Sequence, residues 1–364
     1  MPQGGAVFGA AVVDGKIYAF GGYEYNRVMY STAGEYNPVN DTWTIKTPMH
    51  RARINFATAV YENKIYIIGG QLYPYWPAID TVEVYDPATD TWAFGMPLSE
   101  PRAMMQANVV NDKIYVIGGS TVPTPNTELD EGMTDTTQVF DPHSNSWSMT
   151  TASLNATFSY GSAVFDGKIY VFGGLGKFVT PSGPFGGHRV DVLATNITQI
   201  YDPAIDNWSY GVSIPKQGGG EAAGVTSGEM APRGIYLFSP NVAFTQVYNP
   251  TTNSWINGTN TPVIEFTSKI AVINDTMYVM GGQYSARIPS LAGSIEENPS
   301  PPFPSSNYQY IPFGYGSFIP LPTPTPSPKP TGLGASSLAS VGIAVAVVCV
   351  LVAGLVFKRK RRKT

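Results

Sequence analysis

The sequence predicts an all-β protein in which one four-stranded unit is repeated along most of the chain. Near copies of one apolar strand, such as GKIYVFGG at residues 167–174, recur along the 364 residues. Aromatic residues make up 12% of the chain and charged residues only 13%, with 38 glycines and 31 prolines, a balance typical of turn-rich β proteins. We therefore expect one large repeat domain rather than two or three separate domains.

The first half of each unit is a hairpin of two apolar strands, a and b, followed by two glycines. The Asp-Gly, Glu-Asn and Asn-Asp pairs between these strands favour tight turns with positive φ. The glycines allow positive φ, or a turn where a side chain would collide with a neighbour. One copy, GIYLFSP, has Ser239 and Pro240 in place of the glycines, so we expect a different bend there. The glycine pairs are Gly21 and Gly22, Gly69 and Gly70, Gly118 and Gly119, Gly173 and Gly174, and Gly281 and Gly282.

The second half of each unit carries an aromatic residue and a tryptophan seven positions apart. The aromatic residue ends strand c, an Asp-Pro or Asn-Pro turn follows, and the tryptophan begins strand d. These pairs are Tyr36 and Trp43, Tyr85 and Trp92, Phe140 and Trp147, Tyr201 and Trp208, and Tyr248 and Trp255. A four-stranded sheet with two apolar faces can bury both only by stacking on other sheets around an axis, so the predicted architecture is a β-propeller.

Paired glycines after an apolar strand, followed by Tyr and Trp at a fixed separation, resemble the kelch repeat. The resemblance covers residues 5 to about 284 and implies a six-bladed β-propeller of four-stranded kelch-type blades. Residues 1–284 hold five full repeats and half of a sixth, because no Tyr and Trp half follows Gly282. The missing strands of blade six either lie upstream of Met1 or come from a hairpin at 307–319.

The C-terminal part of the chain predicts a membrane anchor. Residues 285–334 form a Pro/Ser/Thr-rich stalk that includes PLPTPTPSPKP, which favours extended polyproline II. Residues 335–357 include an uncharged apolar run long enough to cross a bilayer as a helix, and the basic tail at 358–364 is expected to stay cytoplasmic. We therefore expect a single-pass cell-membrane protein with its propeller outside. The first residues lack the pattern of a signal peptide, which favours a truncated N-terminus or insertion through the C-terminal helix alone.

The sequence offers no evident metal or cofactor site. His50, His143 and His188 lie in separate units without the paired spacing of zinc ligands. The resemblance to kelch propellers extends to copper radical oxidases, but these need a cysteine joined to a tyrosine, and Cys349 lies in the apolar run. We interpret the repeated Asp and Asn side chains of the c–d turns as Asx turns rather than calcium ligands.

Charge argues against a nucleic-acid partner. Without the six basic residues of the tail, 16 Lys and Arg stand against 26 Asp and Glu, a formal charge of −10. We expect an acidic, soluble exterior and a monomer. Six Asn-x-Ser/Thr sequons agree with an exterior location, and they are Asn40, Asn155, Asn196, Asn207, Asn257 and Asn274.

The candidate binding surface is the face formed by the b–c and d–a loops. Its b–c loops are short after Gly22 and Gly70 and much longer after Gly119 and Gly174. Tyrosine and tryptophan suit protein hot spots and stacking on sugar rings, and arginine can fork onto a carboxylate. The alternatives are aromatic loops packed on each other and arginines that are solvated or paired with glutamate. The candidate residues are Tyr23, Tyr25, Arg51, Arg53, Tyr73, Tyr75, Trp76, Glu100 and Arg102.

These features predict a binding module that recognises a protein or a glycan and has no catalysis of its own. The resemblance to kelch-type propellers that epimerise sialic acid implies an alternative, a sugar-modifying enzyme acting on acidic sugars. In that enzyme Arg51, Arg53 or Arg102 would grip a carboxylate, and Glu100 or Glu221 would move a proton. A third hypothesis is a structural component of the cell envelope.

Overall fold

The computed structural model describes residues 9–23, 28–121, 132–182, 187–240, 242, 244–260, 269–280, 307–311 and 356–359. In these ranges the chain forms strands and turns, and none of its segments is a helix. The strands make six four-stranded antiparallel sheets and one three-stranded sheet. In each four-stranded sheet the strands are neighbours in sequence order, as the a, b, c, d units predict.

The first three sheets follow the repeat closely. Sheet 1 consists of β1 (Gly9–Val13), β2 (Lys16–Phe20), β3 (Ala33–Asn37) and β4 (Thr42–Lys46). Sheet 2 consists of β5 (Ala57–Tyr61), β6 (Lys64–Ile68), β7 (Val82–Asp86) and β8 (Thr91–Phe94). Sheet 3 consists of β9 (Gln106–Val110), β10 (Lys113–Ile117), β11 (Thr137–Asp141) and β12 (Ser146–Thr150).

The remaining strands form sheets 4 to 6 and the small sheet. The small sheet consists of β13 (Thr157–Phe158), β16 (Leu175–Ser182) and β17 (Gly187–Ala194). Sheet 4 consists of β14 (Gly161–Phe165), β15 (Lys168–Phe172), β18 (Thr198–Asp202) and β19 (Asn207–Tyr210). Sheet 5 consists of β20 (Ala222–Thr226), β21 (Gly234–Phe238), β22 (Phe244–Asn249) and β23 (Ser254–Asn260). Sheet 6 consists of β24 (Lys269–Ile273), β25 (Thr276–Met280), β26 (Asn307–Ile311) and β27 (Val356–Arg359).

The first strands of the six sheets converge on a common axis. Each contacts the first strands of two other sheets in the order β1, β5, β9, β14, β20, β24, and β24 contacts β1. Small residues such as Ala11, Ala59, Ala163 and Gly224 fill these strands, because strands near an axis leave little room for side chains. This arrangement is consistent with the predicted propeller.

Six hydrophobic clusters lie at the junctions between adjacent sheets. The cluster between sheets 1 and 2, for example, packs Phe20 of β2 against Ile65 and Tyr85 of sheet 2. The cluster that closes the circle joins Ile17 of sheet 1 to Met280 of sheet 6. Each sheet therefore buries its apolar faces on its neighbours, as stacking of repeat units requires.

In sheets 2 to 5 the repeated tryptophan ties the sheet to the preceding one. Trp208 Nε1 donates to the Thr151 carbonyl, just beyond β12, over 3.0 Å, and Tyr201 donates to Asp206 over 2.7 Å. Asp206 also accepts from Thr151 N at 3.2 Å, and bonds from the Thr150 and Tyr201 hydroxyls lower its pKa to about 2. Phe140 lacks the hydroxyl, so this part of the clamp is missing from sheet 3.

The turn predictions are confirmed. The a–b turns have positive φ, as at Asp14 and Gly15. In all five c–d turns the Asn or Asp before proline accepts a bond from the backbone N–H two residues on, with N–O distances from 2.9 to 3.0 Å. These side chains therefore form the Asx turns that the sequence predicted.

Sheet 6 is completed by two segments from further along the chain. The third strand of sheet 6 is β26, which lies within the segment 307–319 that was one of the two predicted sources, whereas residues 312–319 lie outside the described residues. Val356–Arg359 pair with β26 as β27, although the sequence predicted the end of a helix and the start of a tail there. The outer edge of β26 is open to a fourth strand, and β27 occupies it as strand d does elsewhere.

The predicted span is otherwise not described, since residues 312–355 lie outside the described ranges. Within those ranges the chain contains no helix with the length and hydropathy of a membrane-crossing segment.

Candidate binding face

The b–c and d–a loops meet on one face, where short backbone bridges connect them. Ile54, just before β5, exchanges backbone hydrogen bonds with Gln71, just after β6, at 3.1 and 2.8 Å. Ala103 and Ser120 form the same bridge in sheet 3, at 2.9 and 2.8 Å. The loops of this face are therefore fixed to one another rather than extending separately from the sheets.

Arg53 belongs to this loop framework and not to a binding surface. Its side chain has no exposed surface, and its Nη1 donates to the carbonyls of Gly69 at 3.1 Å and Thr81 at 2.9 Å. Its Nη2 pairs with the buried Glu83 carboxylate, which also accepts the His50 backbone N–H over 2.8 Å. All of these partners lie inside the protein, so the structure places the Arg53 side chain away from the surface where a ligand-gripping role was predicted.

Arg102 repeats this arrangement one sheet further on. It is fully buried, and its Nη1 donates to the carbonyls of Gly118 at 3.0 Å and Thr136 at 3.1 Å. Its Nη2 lies 3.0 Å from a carboxylate oxygen of the exposed Glu100. Pairing with a neighbouring glutamate, the alternative drawn from the sequence, is what the structure shows. Like Arg53, Arg102 is unavailable to a ligand.

The Glu221 carboxylate accepts a backbone hydrogen bond that a carbonyl accepts at the equivalent place in sheet 2. Gly70 N donates to the Arg102 carbonyl at 2.8 Å, and at the equivalent place Gly174 N donates to Glu221 Oε2 at 2.7 Å. Gly218 N and Gly219 N donate to its other oxygen at 3.1 and 2.8 Å. Burial raises the pKa of the Glu221 carboxyl, and the backbone donors oppose that rise. A buried carboxyl bound to backbone amides is not placed to exchange protons with a ligand.

Four candidate aromatic residues, Tyr23, Tyr73, Tyr75 and Trp76, make up what we call the aromatic patch. Trp76 stands between Tyr23 and Tyr73, with ring centroids 5.8 Å from each and interplanar angles of 70° and 81°. Tyr73 is 50% exposed and Tyr75 is 76% exposed. Since Tyr23 follows β2 and the others follow β6, the patch joins two adjacent sheets across the loop face. Tyr25 lies outside the described residues.

The loop that carries the patch is fixed by a chain of hydrogen bonds. Asn55 Nδ2 donates to Gln71 Oε1 at 2.8 Å, and Gln71 Nε2 donates to the Trp76 carbonyl at 3.1 Å. Trp76 has φ of 56°, a left-handed conformation that a bulky residue adopts only when its surroundings impose it. The backbone of the loop that carries the patch is therefore anchored to sheet 2 at Gln71 and Trp76.

The long b–c segment of sheet 4 is a β-hairpin, which the sequence presented only as a variable loop. We call β16 and β17 the arm. A cavity of about 530 Å³ at its base is lined by Phe178, Leu193 and Gln217 among others. A second cavity of about 280 Å³ lies beside Leu154, Lys177 and Val179. The arm and its cavities extend the loop face beyond the aromatic patch.

The remaining predicted residues are dispersed. Arg51 is exposed, whereas Arg53 and Arg102 are buried, so these three described arginines do not line one pocket. The His50 ring stacks on Phe94 with centroids 4.7 Å apart. Among the residues that the structure describes, no group of three His, Cys, Asp or Glu side chains is arranged to hold a metal ion. Of the sequon asparagines, Asn155 is half-buried and accepts from Tyr210, while the other five are exposed.

Comparisons with known proteins agree with this architecture. Residues 2–174 match the family described as the KLHDC2/KLHL20/DRC7 Kelch-repeats domain. This match covers just under half of the chain and shows that its first part is similar to kelch-repeat domains. The chain is similar to Kelch-like protein 25 of Xenopus tropicalis, at 25% identity over 267 residues, which cover 72% of this chain and 42% of that protein. It thus spans less than half the length of that kelch-repeat relative.

Two further similarities concern an epimerase and a solved structure. N-acetylneuraminate epimerase of Haemophilus influenzae is 38% identical over 66 residues, which cover 17% of this chain and 18% of that protein. The solved structure of YjhT has a TM-score of 0.65 and 13% identity, and the match covers 85% of this chain and 96% of that chain. At that identity the structural match shows a shared fold and nothing about activity.

Proposed function

We propose that this chain is a six-bladed kelch propeller whose loop face binds a partner protein, with the aromatic patch at the centre of the contact. The observation that carries the proposal is the exposure of Tyr73 and Tyr75 around Trp76 on a loop that is already fixed. Kelch repeats are protein-interaction modules, and the family match supports the same use here.

The chemistry of the patch fits a protein hot spot. Tyrosine and tryptophan are enriched at hot spots because a large rigid ring buries much area for little lost entropy, and the polar tip can hydrogen-bond. A loop held by Asn55, Gln71 and the Trp76 carbonyl has little further order to gain on binding, which lowers the entropic cost of association. A fixed aromatic surface of this kind favours one partner shape over many.

The test is a pair of variants with equal exposure. Tyr75→Ala removes a patch side chain that is 76% exposed, and Ile45→Ala removes an apolar side chain of β4 with the same exposed fraction. Proteins captured by the parent from solubilised cell membranes are identified, purified and titrated against both variants. We expect Tyr75→Ala to weaken binding about tenfold or more and Ile45→Ala to leave it unchanged. Equal affinity for all three would refute the patch as the binding site.

Sugar modification is the second candidate, and the match to N-acetylneuraminate epimerase favours it. The burial of Arg53, Arg102 and Glu221 removes three of the residues that the sequence suggested for it. Incubation of the chain with N-acetylneuraminate, followed by NMR of the anomeric signals, tests this directly. Enzyme-dependent interconversion that Tyr75→Ala does not affect would support the epimerase and not the binding module.

We further propose that residues 337–357 anchor the propeller to a membrane, with the loop face outside. The proposal rests on the uncharged apolar run and the basic tail, and it requires β27 to leave sheet 6 in the membrane-bound chain. Alkaline carbonate extraction of cells that express the full chain is the test. Retention in the membrane pellet is expected, and release of the whole chain into the supernatant would contradict it.

A further inference from the structure

Among the described strands, the outer strand of the arm, β17, has a pairing partner along one edge only. β17 pairs with β16 through eight consecutive residue pairs, from Leu175 and Ala194 to Ser182 and Gly187, with no shift in register. On its other side no strand of the described chain pairs with it. Proteins usually protect such an edge with proline, a bulge or a covering segment, and β17 has neither a proline nor a bulge.

The register fixes which backbone groups face outwards. Thr195 N donates to the Gly174 carbonyl at 3.0 Å, one position beyond the Leu175–Ala194 pair. Because backbone groups alternate sides along a strand, position 191 points its N–H and C=O towards β16, as position 195 does, and so do positions 189 and 193. The N–H and C=O groups of Val190 and Val192 therefore point to the open edge, together with those of positions 188 and 194.

A cavity lies at the C-terminal end of β17, over one face of the arm. Leu193 and Ala194 line this cavity of about 530 Å³ together with Phe178 of β16 and Gln217. Leu193 and Phe178 are both partly exposed there. Because a Cβ atom at Gly219 would lie 3.3 Å from that of Ala194, this end of β17 is packed against the loop before β20, and the stretch around Val190 is the part left to a pairing strand.

We infer that two copies of this chain pair through β17, antiparallel, with the two-fold axis at Val190. In that register Val190 of each copy exchanges both backbone hydrogen bonds with Val190 of the other. Position 189 of each copy then lies opposite position 191 of the second copy, which places an arginine opposite an aspartate twice across the axis. The sequence Arg-Val-Asp is thus self-complementary in charge for this pairing and for no parallel one.

The geometry strengthens the charge match. Since Val190 forms the hydrogen-bonded pair, the positions on either side of it form non-hydrogen-bonded pairs, where the backbones lie closest, about 4.5 Å between Cα atoms. Opposite charges at directly facing positions stabilise a strand pair, and like charges destabilise it. A carboxylate has about four acceptor sites, so a contact of Asp191 within its own chain leaves capacity for Arg189 of the second copy.

A second copy fits this edge better than an unrelated peptide. An unrelated strand has no reason to carry opposite charges at the two positions that face Arg189 and Asp191. An antiparallel second copy carries them, because it presents its aspartate to the arginine and its arginine to the aspartate. The inference departs from the monomer expected from the sequence. It does not depend on the partner protein proposed above, because the aromatic patch lies on the loops of sheets 1 and 2 and the arm on that of sheet 4.

Charge exchange tests the inference. Sedimentation equilibrium of the full chain in detergent is compared for the parent, Arg189→Asp, Asp191→Arg and the double exchange. We expect a dimer for the parent, at least tenfold weaker association for each single variant, and recovery of the dimer in the double exchange. Asp80→Arg, the same charge change at an exposed site on the b–c loop of sheet 2, is the matched control and should remain dimeric.

Folding is monitored separately, so that weaker association through a lost interface can be distinguished from weaker association through misfolding. Circular dichroism and thermal unfolding of each variant show whether the sheets are intact, and recovery in the double exchange cannot arise from a misfolded arm. A parent that sediments as a monomer at every concentration would overturn the inference. So would a dimer that both single variants leave unchanged, or a double exchange that does not recover it.

Discussion

Replacing Gly69 by alanine is expected to destabilise the protein far more than the same change at Gly167, although both glycines have positive φ. Their φ values are 61° and 73°, so an alanine pays a similar backbone cost at each, about 1 kcal/mol. A Cβ atom at Gly69 would lie 2.3 Å from the Arg102 carbonyl oxygen, whereas one at Gly167 would meet no atom within 4 Å. The difference in stability between the two variants therefore measures the cost of the steric contact between neighbouring sheets, because both variants share the cost of positive φ.

The overlap at Gly69 has no easy relief, and this sets the magnitude. The Arg102 carbonyl accepts the Gly70 N–H at 2.8 Å, so moving it costs that bond, about 1 kcal/mol. The Arg102 side chain is bonded to the Gly118 carbonyl, so the shift would spread into sheet 3, and forced repacking of this kind costs about 1–3 kcal/mol. We expect Gly69→Ala to cost about 3–5 kcal/mol in total and Gly167→Ala about 1 kcal/mol.

Equilibrium unfolding in urea, followed by tryptophan fluorescence, measures both variants. The free energy of unfolding should fall for Gly69→Ala with an unchanged denaturant slope, which shows that the native state and not the denatured state has changed. Equal destabilisation of the two variants would refute the reasoning, because it would mean that the glycine pair is needed only for its positive φ.

Three further predictions concern the junctions between sheets, and denaturant midpoints check each. Trp208→Phe removes the indole bond to Thr151 and should cost about 1–2 kcal/mol, whereas an unchanged midpoint would show that the clamp contributes nothing. Phe140→Tyr should gain about 0.5–1 kcal/mol by donating to Asn145, as the equivalent tyrosine of sheet 5 does to its asparagine, and a loss would mean that the hydroxyl does not fit. Burial opposes ionisation of Asp275, but four backbone N–H donors of the β20–β21 loop outweigh the effect of burial and lower the pKa of the carboxyl. The ionised carboxylate therefore stabilises the fold above about pH 4, and this stabilisation is lost as pH falls through the folded pKa. The deficit of Asp275→Asn should therefore be largest at pH 7 and shrink below pH 4, and a deficit that is independent of pH would contradict this.

The sheets could be predicted from the sequence because local and repeated signals agree there. The turn pairs such as Asp14-Gly15 and the fixed spacing of Tyr201 and Trp208 each specify a local geometry, and the structure has both. Repetition strengthens the prediction, because a unit whose pattern is weak can be aligned with the clearer units. The sixth sheet lacked its second half in the pattern, and its third strand came from a segment far along the chain.

The candidate site was less predictable, because burial is a property of the assembled face. Arg53 and Arg102 stand in loops that contain polar residues, and nothing in their sequence neighbourhood shows that two carbonyls of a distant turn fold over each guanidinium. One signal was available, namely that both arginines occupy the same position of successive repeats, which is typical of a structural role. The arm was missed because its strands contain glycine and proline and lack a clear alternation.

Site-specific photo-crosslinking tests the central claim, that the loop face carries the binding site, most directly. A benzophenone side chain is placed at Tyr75 in the aromatic patch or at Val39 in the c–d turn of sheet 1, an exposed position on the opposite face. We predict that the Tyr75 probe crosslinks one defined protein in intact cells, that Trp76→Ala abolishes this product, and that the Val39 probe gives no such product. A partner crosslinked from Val39 and not from Tyr75 would contradict the account and place recognition on the other face of the propeller.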